Sequence, residues 1–176
     1  TPIKINAVAM KGVNDNELLD IARLSQVYSW RVRFIELMPV NNQTPWGEGF
    51  PSPQTAYLSI KEIRRALDCL NLEPVEGKIG SGPAREYRIP GAPGTVGFIS
   101  PLGEHFCQSC NRLRLTADGA LRPCLLSDVE IPLLKPLREG QDILPYLEKA
   151  VQLKPEGHDM ETNHHSLTRC MIQIGG

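Results

Sequence analysis

The chain has 176 residues, 41% hydrophobic and 22% charged, with a formal net charge of -1 at pH 7. This suits one globular domain, or one and a half, and excludes a surface built throughout for polyanions. No stretch reaches the roughly 18 apolar residues of a membrane span, and residues 1–10 lack the charged start and apolar run of a signal peptide. The cysteines are Cys69, Cys107, Cys110, Cys124 and Cys170. An odd number with a single CxxC argues against a secreted disulfide framework and for a reducing cytoplasm or organelle matrix.

Residues 3–10 alternate and are rich in β-formers, so they read as a strand with Lys4 and Asn6 on one face and Ile3 and Ile5 on the other. A core strand this close to residue 1 implies a missing upstream portion. Gly12 and Asn14 make a turn. Asn14 is expected to cap a helix that carries Glu17 at its third position and runs to about Tyr28. Residues 31–38 form a second strand stopped by Pro39, which completes a βαβ unit with parallel strands. Residues 41–57, with Trp46, read as a long Pro/Gly/Asn-rich loop, either a lid or an insertion. Residues 59–70 read as a helix opened by a Ser59–Glu62 capping box, with Ile60, Ile63, Ala66 or Leu67, and Leu70 facing inward.

The character changes after Leu72. Residues 77–83 form a flexible loop; their glycines lack the order and the strand–helix setting of a phosphate loop. Residues 86–89 and 95–99 are short strands, and 112–116 with 120–122 form a hairpin turned by Asp118-Gly119. Residues 142–153 read as a last helix that tolerates Pro145 in its first turn. An α/β part, 1–72, is thus expected to give way to a small antiparallel, cysteine-bearing part, 73–176.

The chemistry concentrates in residues 105–124. Cys107, Cys110 and Cys124 form a C-x2-C-x13-C array, and Arg112 and Arg114 follow the first pair with one residue between them. Thiolates hold soft metals and iron–sulfur clusters, and arginine forks hold phosphates. Here Arg112, Arg114 and Arg122 outweigh Asp118, so the positive charge is local and fits a small anion better than a long nucleic acid. Unpaired structural thiols would not account for a CxxC with a third cysteine behind an arginine strand, and two further readings stay open. One is a structural zinc whose fourth ligand comes from His105, His158, His164, His165 or Cys170. The other is a [4Fe-4S] cube with one iron left open for a ligand. His164-His165 reads as a solvated tail. The terminal Gly175-Gly176, behind the apolar residues 171–174, can thread where side chains cannot.

The runs Lys4-Ile-Asn-Ala-Val, Val32-Arg-Phe-Ile-Glu-Leu-Met-Pro39, Gly97-Phe-Ile, residues 104–119 and the final Gly-Gly resemble, in order and over essentially the whole chain, the C-terminal half of the GTP 3′,8-cyclase family. These are radical-SAM enzymes of the first step of molybdenum cofactor synthesis. The resemblance implies the C-terminal part of an incomplete (β/α)6 barrel, with residues 1–72 supplying its last two strands and helices, plus a small antiparallel iron–sulfur region. It implies that Cys107, Cys110 and Cys124 hold a [4Fe-4S] cluster whose open iron takes the guanine end of GTP. Lys4, Arg33, Arg112, Leu113 and Arg114 would contact GTP, Met38 would lie at S-adenosylmethionine, and Gly175 and Gly176 would enter the active site. A second [4Fe-4S] cluster, on an N-terminal CxxxCxxC, would cleave S-adenosylmethionine to the radical that takes hydrogen from C3′ of GTP before C3′ closes onto C8. This chain has no CxxxCxxC, so alone it is expected to be inactive. Implied partners are the N-terminal half of the barrel, the next enzyme, cyclic pyranopterin monophosphate synthase, and a second copy in a homodimer, with no nucleic acid or membrane. The implied location is the cytoplasm, or the mitochondrial matrix in a eukaryote. Another radical-SAM enzyme with an auxiliary cluster, or a non-catalytic zinc module, remains the alternative.

Overall fold

A computed structural model describes residues 3–38, 50–76, 82–104, 106–157 and 169. It is a mixed α/β structure in two compact units, the first running to Phe106 and the second continuing from Cys107.

In the first unit β1 (Lys4–Ala9), α1 (Leu18–Val27) and β2 (Arg31–Glu36) form the expected βαβ unit, with β1 and β2 parallel. Asn14 plays a different part from the one expected. Its Oδ1 accepts from Met10 N at 2.8 Å and its Nδ2 donates to Val8 O at 2.9 Å, so it closes the turn after β1. Glu17 precedes α1 without a side-chain cap. The expected loop 41–57 contains a helical turn, α2 (Pro53–Ala56), capped by Ser52; Trp46 lies outside the described residues. α3 (Ile60–Ala66) has the full capping box, Glu62 N on Ser59 Oγ and the Glu62 carboxylate on Ser59 N. Its inward stripe is Ile60, Ile63 and Leu67, continued by Leu70 in a 3-10 turn, while Ala66 faces out.

The sheet continues past residue 72. β3 (Glu73–Pro74), β4 (Arg85–Arg88) and β5 (Thr95–Ile99) complete a five-stranded sheet in the order β1-β2-β5-β4-β3. β5 was expected in the antiparallel part, but it lies parallel to β2, with Arg33 beside Gly97. β4 and β3 are antiparallel. The composition change near residue 72 thus marks a switch from parallel to antiparallel connection within one sheet, and the compact unit itself runs on to Phe106. Helices cover one face of this sheet. Val32, Phe34, Val96 and Phe98 pack there with Leu18, Ala22, Ile63 and Leu67. The other face carries Lys4, Asn6, Arg33, Gly97 and Glu86, by alternation and register.

Gly94 enters β5 where a Cβ would press on the carbonyl oxygens of Trp30, Tyr28 and Ser25, and its N–H donates to Ser25 O at 2.9 Å. Only glycine permits that approach.

In the second unit β6 (Arg114–Leu115) and β7 (Ala120–Arg122) form the expected hairpin, with Gly119 at φ 80°. Thr116 closes it, exchanging hydrogen bonds with Ala120 through backbone and hydroxyl. β8 (Ile131–Pro132) adds a third antiparallel strand and α4 (Leu134–Arg138) follows; neither was read from the sequence. α5 (Leu144–Gln152) is the expected last helix, and its Leu144 N–H donates to Asp142 Oδ1 at 3.0 Å. Ala150 of α5 packs on Leu121 and Ile131, with Leu113, Tyr146 and Leu147 around them. No described helix is long and apolar enough to cross a membrane.

Candidate functional site

The CxxC folds as a 3-10 turn, Cys107–Ser109, closed by Cys110 N on Cys107 O at 3.0 Å. Residues three apart eclipse in such a turn, which sets the first two cysteines on one side of it. The hairpin then brings the chain back. Arg114 pairs with Arg122, and this register carried two residues further sets Arg112 opposite Cys124. Cys124 Sγ accepts from Leu126 N at 3.4 Å. No disulfide joins Cys107, Cys110 and Cys124 to one another.

Arg114 is half-buried between these groups. Burial pulls its guanidinium below the ordinary arginine value, and the like charge of Arg112 adds to that. The sulfurs of Cys124 and Cys110 act on it in the opposite sense. Leu113, between the arginines, packs on the core of the unit and leaves Arg112 and Arg114 on the other side of the strand. Arg112 is exposed. Arg122 is a structural group. It is fully buried, with Glu130 at 2.8 Å and Asp128 at 3.5 Å, and it donates to Ser127 O. A buried ion pair of this kind needs every partner it has.

Two candidates of the first unit, Lys4 and Arg33, lie on the helix-free face of its sheet. Lys4 is exposed at the start of β1. Arg33 is nearly buried, and its Nε and Nη2 donate to Glu86 Oε1 at 3.1 and 3.0 Å; Thr95 Oγ1 donates to the other oxygen at 2.8 Å. Gly97 makes room for this pair, since a Cβ there would stand 3.1 Å from Arg33 Cγ and 3.2 Å from Glu86 Cδ. Met38 is half-buried just past β2. His105, His158, His164, His165, Cys170, Gly175 and Gly176 lie outside the described residues.

Two residues that sequence reasoning passed over organise these segments. Glu36 is 1% exposed. Its Oε1 accepts from Ile60 N at 2.9 Å, and its Oε2 from Ser100 Oγ at 2.8 Å and from Leu102 N and Gly103 N at 3.2 Å. The Glu36 charge also helps, after burial, to push the Tyr57 hydroxyl up to about 12. This one carboxylate ties the end of β2, the start of α3 and the loop after β5 together. Lys154, just past α5, donates from its ammonium to Arg112 O and to Pro123 O, both at 2.8 Å. Nothing local in the sequence marks either residue.

The donor set suits a soft metal, with three thiols in one unit and guanidiniums beside them. Among the described residues, no three Cys, His, Asp or Glu side chains are gathered as a ready metal-binding group. The fit thus rests on the chemistry of the donors, carried by the CxxC turn and the hairpin that follows it.

The chain thus carries three thiols and a following arginine pair on a mixed α/β scaffold. The family model described as Molybdenum Cofactor Synthesis C matches residues 30–160, and the chain belongs to that family. It is 44% identical over 180 residues to the GTP 3′,8-cyclase of Desulforamulus reducens, covering 99% of this chain and 53% of the relative. It is 46% identical over 180 residues to that of Moorella thermoacetica, covering 100% and 53%, and 44% identical over 178 residues to that of Alkaliphilus metalliredigens, again covering 100% and 53%. The chain spans about half the length of the curated relatives it matches.

Proposed function

We propose that this chain is the auxiliary-cluster and substrate-binding portion of an enzyme that cyclises GTP to (8S)-3′,8-cyclo-7,8-dihydroguanosine 5′-triphosphate in molybdenum cofactor synthesis. The observation that carries the reading is the hairpin of β6 and β7 together with Lys154, whose ammonium joins Arg112 O to Pro123 O at 2.8 Å and so holds the residue before Cys124 beside the segment that follows the CxxC. Family membership and relatives named GTP 3′,8-cyclase support it.

On this reading Cys107, Cys110 and Cys124 hold a [4Fe-4S] cluster. When bound, that group supplies an iron with an open position for the guanine end of the nucleotide. Arg112 and Arg114 neutralise the triphosphate, which carries several negative charges, through charge-assisted hydrogen bonds. Leu113 anchors the strand between them in the core, so the two forks are presented from a fixed backbone. Lys4 and Arg33 add positive charge for the same substrate. The pairing of Arg33 with Glu86 holds its fork in one orientation before substrate arrives. Met38 serves S-adenosylmethionine, and the Gly175-Gly176 tail enters the active site, where it helps exclude water. The helix-free face of the five-stranded sheet is the inner wall of an incomplete (β/α)6 barrel whose other strands come from an N-terminal half. That half bears the CxxxCxxC that this chain lacks, so the chain alone is inactive. The partners are GTP, that half, a second copy of the enzyme and the next enzyme of the pathway, in the cytoplasm or mitochondrial matrix.

The test has two parts. Anaerobic reconstitution of the chain should give about four irons with matching sulfide, lost in Cys124→Ala; one zinc and no iron would overturn the cluster reading. Supplied with the CxxxCxxC-bearing half, S-adenosylmethionine, a reductant and GTP, the wild-type chain should yield the cyclised triphosphate. A reconstituted assembly that leaves GTP untouched would overturn the activity.

A further inference from the structure

The hairpin that carries the cysteines loses its ladder where the chemistry begins. Paired residues end at Arg114 and Arg122. In the continued register the next opposed residues are Leu113 with Pro123 and Arg112 with Cys124. Proline has no N–H, so it cannot donate across to the partner strand. Left to themselves, the two strands would splay at the point from which Cys110 and Cys124 project.

The ammonium of Lys154 fills this gap. It donates at 2.8 Å to Arg112 O on one strand and at 2.8 Å to Pro123 O on the other. Both are charge-assisted bonds, the stronger kind. One accepting residue lies two positions after Cys110, and the other immediately precedes Cys124. α5 delivers the lysine, and it is itself fixed to the sheet by Ala150 against Leu121 and Ile131. The helix core thus sets where the ammonium stands, and the ammonium sets the separation of the strands.

We propose that Lys154 is the positioning residue of the three-cysteine site, bridging the two carbonyls so that Cys124 is held in register with the Cys107–Cys110 turn. The proposal rests on the cluster reading above. It assigns Lys154 no contact with substrate.

The experiment uses the whole chain, reconstituted anaerobically with iron and sulfide, and follows the rate at which a chelator removes iron. Lys154→Met should release iron about 10- to 100-fold faster, the range expected when an outer partner of a metal site is lost. Lys154→Arg, which keeps charge and donors, should recover part of the loss. Lys149→Met, an exposed charge on α5, should behave as wild type. A lysine that merely staples α5 to the sheet would lower the unfolding midpoint of the metal-free chain and leave iron release unchanged, and that result overturns the proposal. If Lys154→Met does not fold, Lys154→Gln takes its place: faster release supports the role and wild-type release overturns it. The control Cys124→Ala separates the two levels. If wild type binds no Cys124-dependent iron, the cluster reading falls and this inference with it. If it does, and the Lys154 variants release iron at the wild-type rate, only the role of Lys154 falls.

Discussion

Replacing Glu36 by Gln keeps shape and volume and changes only what the side chain can accept. Every described hydrogen-bond partner of Glu36 is a donor: three backbone N–H groups and the Ser100 hydroxyl. A carboxylate accepts from all of them, whereas an amide has one oxygen and must turn its NH2 group toward donors. With the amide oxygen kept at the Oε2 side, Ile60 N–H is orphaned at the start of α3. The opposite orientation strands two N–H groups, Leu102 and Gly103. The first orientation is the cheaper. Its orphaned donor costs about 1–3 kcal/mol, and three bonds fall from charge-assisted to neutral, about 1 kcal/mol each. Relief from burying a charge offsets part of this. The net expectation is a loss of about 3 kcal/mol in urea unfolding at pH 7, with an unchanged m-value. A loss below about 1 kcal/mol would mean that the buried carboxylate is no better a partner than an amide, and the reasoning would fail.

Tyr57 is pushed up from 10.0 to about 12 by burial first and then by the charge of Glu36. The folded chain therefore holds this proton longer than the unfolded one, and stability should decline as pH rises from 10 through 12; an absorbance titration should show the Tyr57 midpoint falling toward 10 in Glu36→Gln. Asp118 is held down from 3.8 to about 2 by hydrogen bonds from Arg169 first and Thr116 second. Its contribution should be present above pH 4 and lost as pH falls through about 2, and Asp118→Asn should flatten that part of the acid unfolding profile. Gly119→Ala places a Cβ 2.5 Å from Leu134 Cβ at a φ of 80°, so it should destabilise the hairpin by more than about 1 kcal/mol, read by thermal unfolding. Arg112→Ala, in the assembled enzyme, should weaken GTP binding about tenfold or more with iron content unchanged, given the typical strength of a charge-assisted bond; unaltered affinity by calorimetry would remove Arg112 from the anion site.

Features written in neighbouring residues were legible before the structure. The capping box at Ser59 and Glu62, the Asp118-Gly119 turn and the alternation of β1 each depend on side chains within a few positions. The partnership of β5 was not legible, because its parallel neighbour β2 lies more than sixty residues earlier and short apolar runs do not state their direction. Asn14 misled for a related reason: an asparagine ahead of an amphipathic run can cap forward or close backward, and the pull of Val8 and Met10 won. Glu36 and Lys154 reach partners tens of residues away, so their roles emerge only from the folded backbone. Within the site, the thiol array and the Arg112–Arg114 pair were readable from spacing alone. The burial of Arg122 against Glu130 was not, since an arginine before Pro-Cys gives no sign of which carboxylate it will meet.

Across one row of the five-stranded sheet, Asn6, Arg33, Gly97 and Glu86 stand abreast, and the blank at Gly97 lets its two neighbours join hands. A methyl group gained at 97 would push on both side chains at once, so each of the three positions limits what the other two can hold.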